Sequence, residues 1–107
     1  MFKMILEHRG YTVIVLENTE QATSIMRNEG IDVVIMDMLL SGTNGTDICA
    51  EFKKDISISH IPVIMMPAHP NAKKICMEAG ADNFIPKPFD IDDLLTKISL
   101  LIQKNQA

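Results

Sequence analysis

The sequence predicts an α/β fold, a parallel sheet covered by helices on both faces. Three observations carry that. Helical and strand patterns alternate along the whole chain as α-β-α-β-α-β-α-β-α. Two strand-length runs, Ile31–Met36 and Ile61–Met66, are apolar almost throughout, as strands buried on both faces must be. Glycine recurs at Gly10, Gly30 and Gly80, each between a helix and the strand after it.

Taken in order, residues 1–9 read as an amphipathic helix with Phe2, Ile5 and Leu6 on one face, stopped by Gly10. Tyr11–Leu16 is β-branched and apolar, a short strand. Asn18 and Gln21 resemble a capping box that opens a helix carrying Ala22, Ile25 and Met26, which Gly30 ends. The run from Ile31 delivers Asp37 at its end and opens into Ser41-Gly42-Thr43-Asn44-Gly45. A helix over about 44–55 turns Ile48, Cys49 and Phe52 inward. Pro62 fits the strand Ile61–Met66 only near its start. A helix over about 70–79 follows, then a short strand Asn83–Ile85 broken by Pro86 and Pro88. Asp90 caps a last helix bearing Ile91, Leu94, Leu95, Ile98 and Leu101, with Gln103–Ala107 expected to fray.

The 107 residues suffice for one domain. A net charge of −4 argues against a nucleic-acid surface, and no apolar run is long enough to span a membrane. Cys49 and Cys76 lack metal-ligand spacing and read as buried thiols of a reducing, cytoplasmic setting. His8, His60 and His69 are dispersed and read as surface residues. The eight methionines read as core filling.

In open α/β sheets chemistry collects at the carboxyl ends of strands, where Asp37 stands. Three segments in order resemble the receiver domain of two-component response regulators, a flavodoxin-like α/β/α fold. Asp37-Met38-Leu39-Leu40-Ser41-Gly42-Thr43-Asn44-Gly45 is similar to that family's phospho-acceptor segment. Ile61–Met66 with Pro67-Ala68-His69 resembles its fourth strand and following loop. Gly80-Ala81-Asp82-Asn83-Phe84-Ile85-Pro86-Lys87-Pro88-Phe89 resembles its Gly-Ala-Asp segment ending in Lys-Pro-Phe.

The resemblance implies a signalling module rather than an enzyme, with Asp37 as phosphoacceptor. It implies that Lys87 and the Ala68 backbone N–H contact the phosphoryl group, and that Pro67 and Phe84 occupy switch positions. A Mg²⁺ ion would take Asp37 and the Leu39 carbonyl as ligands. Its implied partners are a sensor histidine kinase or phosphotransfer protein and a downstream protein. Three features depart from the pattern. The expected first strand and its acidic pair do not appear within residues 1–107, so Mg²⁺ binding is expected to be weak or absent. Pro67 replaces a Ser or Thr, and Ser41 replaces a Pro.

Two other readings follow from the same residues. One is a pseudo-receiver that binds a protein without being phosphorylated. The other is a flavodoxin-type phosphate loop at Ser41–Thr46, disfavoured by Asp37 just upstream and by the scarcity of aromatics. The missing strand further suggests a re-paired sheet or a homodimer.

Overall fold

The computed structural model describes residues 2–16, 19–40, 43–67, 72–85 and 90–106. After helix α1 (Phe2–His8) come a 3₁₀ turn (Thr19–Gln21) and α2 (Ala22–Asn28). Strand β1 (Val34–Asp37) is followed by two short strands, β2 (Leu39–Leu40) and β3 (Thr43–Asn44), and by α3 (Gly45–Lys54). Strand β4 (Val63–Met66), α4 (Lys73–Glu78), β5 (Asn83–Phe84) and α5 (Ile91–Gln106) complete the order.

The main sheet is parallel with strand order β1-β4-β5. Its centre is β4, whose four residues are all buried, as an uninterrupted apolar run in a two-sided sheet requires. Strand alternation divides the core. Val63, Met65 and Met36 join Met26 of α2, Cys49 and Phe52 of α3 and Cys76 of α4 on one face. Ile64 and Met66 join Leu6 of α1 and Leu94, Leu95 and Ile98 of α5 on the other. These are the three layers that the alternating pattern predicts.

Lys53 and Asp82 pin the far end of β4. Lys53 Nζ donates to Asp82 Oδ2 at 2.7 Å and to the Ile61 carbonyl at 3.0 Å, while Asp82 Oδ2 also accepts the Val63 N–H at 2.7 Å. Gly80 belongs to this arrangement. Its φ is +101°, and an added Cβ would lie 2.9 Å from Lys53 Cγ.

Several local expectations are corrected. Tyr11–Leu16 forms no strand and belongs to no ladder, because no strand lies beside it among the described residues to receive its backbone bonds. Tyr11 N–H instead donates back to the Leu6 carbonyl at 3.1 Å. Asn18 lies outside the described residues, and Gln21 at the α2 N-cap makes no side-chain cap bond, so the 3₁₀ turn takes over the role of the capping box. The main-sheet strands are shorter than their apolar runs, since Ile31–Val33 and Ile61–Pro62 precede the ladder. Helix α4 begins at Lys73, and the expected start at 70 falls outside the described residues. Helix α5 continues to Gln106, where fraying was expected, because Leu101 and Ile102 still pack on the core and carry the last turns. Asp90 caps α5 as expected, its Oδ1 accepting the Asp92 N–H at 2.9 Å.

Candidate functional site

Asp37 is the last residue of β1 and pairs in register with Met66, the last residue of β4. Met38 N–H then donates to the Met66 carbonyl at 2.9 Å, which carries the ladder one residue past the carboxylate. Pro67 follows directly and is completely buried. On the other side of β4, Phe84 pairs with Met65, and Ile85 N–H donates to the Met65 carbonyl at 2.9 Å. Asp37, Pro67 and Phe84 therefore sit at the carboxyl ends of three adjacent parallel strands, the edge at which open α/β sheets assemble their sites.

The loop after Asp37 is folded back hard. Strands β2 and β3 form a two-pair antiparallel ladder, Leu39 with Asn44 and Leu40 with Thr43, inside a stretch read as an open loop. Gly45 N–H donates to the Met38 carbonyl at 2.7 Å. A Cβ at Gly45 would lie 2.8 Å from that oxygen and closer still to the Asp37 carbonyl, so only glycine lets the chain return this near. Asn44 caps α3, its Oδ1 accepting the Thr46 N–H at 3.0 Å and the Thr46 hydroxyl at 2.6 Å. The N-terminus of α3 is thereby set against the backbone of Asp37, which is itself half-buried.

Phe84 is half-buried and lies between cations of two helices. Lys73 Nζ of α4 is 4.9 Å from the ring centroid and Lys97 Nζ of α5 is 5.3 Å from it. Lys97 also donates to the Phe84 carbonyl at 2.8 Å and pairs with Asp93 at 3.2 Å. The sequence reading missed both lysines. The i, i+4 spacing of Asp93 and Lys97 was a visible signal for one of them, but nothing local marks Lys73. Ala68 and Lys87 lie outside the described residues, as does His69.

The matching profile is that of the response regulator receiver domain, over residues 1–99. The chain belongs to this family. Receiver domains are signalling modules, and the two-layer core around a parallel sheet is their fold. The phosphate regulon transcriptional regulatory protein PhoB of Pseudomonas aeruginosa is 31% identical over 106 residues, spanning 97% of this chain and 46% of its own. The chain thus spans about half the length of the curated relatives it matches. A solved response regulator of Chloroflexus aurantiacus superposes with a TM-score of 0.87 at 25% identity, covering 95% of this chain and 85% of that one. The receiver domain of sensor histidine kinase PA1611 of P. aeruginosa, solved with magnesium coordinated in its active-site cleft, gives a TM-score of 0.83 at 22% identity, covering 95% and 85%.

Among the described residues no three His, Cys, Asp or Glu side chains cluster to hold a metal, whereas hard cations select several oxygen ligands. No described helix is long and apolar enough to cross a membrane. The two cysteines are free and buried, and burial raises both thiol pKa values.

Proposed function

We propose that this receiver domain accepts a phosphoryl group on Asp37 from a sensor histidine kinase or phosphotransfer protein and signals to a downstream protein. The placement of Asp37 at the carboxyl end of β1, with Gly45 folding the loop onto it, carries this reading. In the transfer an Asp37 oxygen bonds to phosphorus as the donor's P–N bond, or P–O bond for a small phosphodonor, breaks. Lys87 screens the developing charge, and the Ala68 N–H contacts a phosphoryl oxygen. With no cluster of three metal-ligating side chains at Asp37 among the described residues, Mg²⁺ binding is weak and transfer slow. The partner contacts are with protein, in a cytoplasmic setting, and residues 1–107 act as one domain.

The burial of Pro67 favours a second reading. Proline offers neither hydroxyl nor N–H, so the strand end beside Asp37 lacks the group that would bond a phosphoryl oxygen and draw its loop inward. A pseudo-receiver, binding its partner without phosphorylation, needs no such group. Intact-mass measurement with acetyl phosphate and Mg²⁺ separates the two. Slow modification, lost in Asp37→Asn, supports phosphoryl acceptance. No modification over hours supports the pseudo-receiver, and modification that persists in Asp37→Asn refutes Asp37 as the acceptor.

A further inference from the structure

Two nucleophilic groups in the core have no part in the phosphoryl site. Cys49 of α3 and Cys76 of α4 are both free, both 0% exposed, and members of one core cluster. The seam between their helices brings them together. Each helix returns across the sheet after one of its parallel strands, so α3 and α4 run in the same direction. At their C-terminal ends the two elements touch, since a Cβ on Gly80 would lie 2.9 Å from Lys53 Cγ. Ala81 N–H, donating to the Cys76 carbonyl at 3.2 Å, holds this end of α4 in place. Cys49 stands one turn before Lys53, and Cys76 one turn before Gly80. Positions i and i+4 share a helix face, so the two thiols meet across the seam one turn above that contact.

The electrostatics agree with this placement. Burial is the largest influence on the Cys49 thiol and raises its pKa, and the Lys53 ammonium lowers it in part. Asp82 and then Cys76 raise it further, so Cys76 lies within electrostatic reach of Cys49. The chain has two cysteines, so each thiol has one intramolecular partner, and burial keeps the thiols of other molecules away.

We propose that Cys49 and Cys76 form a redox site, whose thiols close into a disulfide when the protein meets hydrogen peroxide. Cys49, the thiol one turn from the Lys53 ammonium, takes an oxygen from the peroxide, becoming a sulfenic acid and releasing water. The Cys76 sulfur then attacks the Cys49 sulfur. The S–O bond breaks as the S–S bond forms, and the hydroxyl leaves with the Cys76 proton as a second water. The thiols lose two electrons in all, and the peroxide gains them. Burial makes the first step slow, because the thiolate is the reactive form and both thiol pKa values are raised. The cross-link ties α3, whose first residue bonds back to the Met38 carbonyl beside Asp37, to α4, whose Lys73 lies over the Phe84 ring. The inference does not depend on phosphoryl acceptance.

Peptide mapping of the native intact chain after peroxide treatment, with free thiols alkylated under denaturing conditions, tests this. The expected product joins the tryptic peptides that hold Cys49 and Cys76 within one chain, with loss of both free thiols. Dithiothreitol should open it while leaving any methionine sulfoxide unchanged. The urea midpoint of the oxidised chain should fall on that reduction, because a bond that fits the folded geometry constrains the unfolded chain alone. Cys76→Ala should leave Cys49 as a sulfenic acid that dimedone traps, and an adduct-free variant would overturn Cys49 as the sulfur first oxidised. Thiols still free in the native chain after hours of exposure overturn the proposal. So do disulfides between chains, further oxidation of either cysteine in place of the cross-link, or a midpoint that rises on reduction.

Discussion

Gly45→Ala tests how tightly the loop after Asp37 is closed. The new methyl meets the Met38 carbonyl oxygen at 2.8 Å and the Asp37 carbonyl closer still, both backbone atoms that cannot rotate away as a side chain would. Overpacking of this kind costs ~1–3 kcal/mol and occasionally more. Moving the loop to relieve it lengthens the 2.7 Å bond from Gly45 N–H to the Met38 carbonyl, a further loss of about 1 kcal/mol. Restricting the unfolded chain offsets about 0.4–1 kcal/mol. The net expectation is a destabilisation of about 1–4 kcal/mol, seen as a lower urea midpoint at unchanged slope. For a domain of this size that corresponds to a drop in Tm of roughly 4–30 °C. Amide shifts in the NMR spectrum should concentrate at Asp37, Met38 and the first turn of α3. A variant within about 0.5 kcal/mol of the parent, the range of an ordinary surface change, would refute the close-approach argument.

Lys53→Met should cost about 2–3 kcal/mol, because two backbone carbonyls and Asp82 lose a charged donor in a part-buried setting. A double-mutant cycle with Asp82→Asn should show coupling of about 1 kcal/mol, and none would mean the pair is screened. The Ser57 hydroxyl and then the Arg27 guanidinium hold the Asp55 carboxyl below its usual range. A depressed folded value means that this stabilisation is present above the unfolded pKa and fades as pH falls through the folded one. Ser57→Ala should therefore move the NMR titration of Asp55 upward, and an unmoved midpoint would count against the assignment. Cys49 and Cys76 should react with a thiol reagent only as fast as the protein opens; immediate stoichiometric labelling in native buffer would contradict their burial.

The parts of the fold legible in sequence are those where one face must be buried. The β4 run, the α3 and α5 stripes and Asp90 as a cap all follow from periodicity or capping chemistry, which are local. Asp37 was legible because its strand ends in a glycine-bearing loop. Tyr11–Leu16 was misread as a paired strand because β-propensity reports what a segment can pack against, not whether a partner lies beside it. The same limit hid the lysines around Phe84. Lys73 reaches the ring through tertiary placement of α4, and no spacing rule joins residues 73 and 84. The β2–β3 ladder was hidden by its shortness, since two residues carry no period.

The thin attachment of α1 bears on how the molecule comes apart. Among its residues 3–8, Leu6 is the one that is fully buried, and the link onward is a segment outside any ladder. The α2–α3–α4 side is held instead by Met26, Cys49, Phe52 and Cys76 together with the Lys53–Asp82 staple. Amide exchange should accordingly be graded, with α1 detaching as a separate low-energy foldon while β4 opens only with global unfolding. Trypsin cutting after Arg9 would read out that first step. The denaturation midpoint would then report chiefly on the chain from β1 onward, and a probe on α1 would melt earlier than one on Met65.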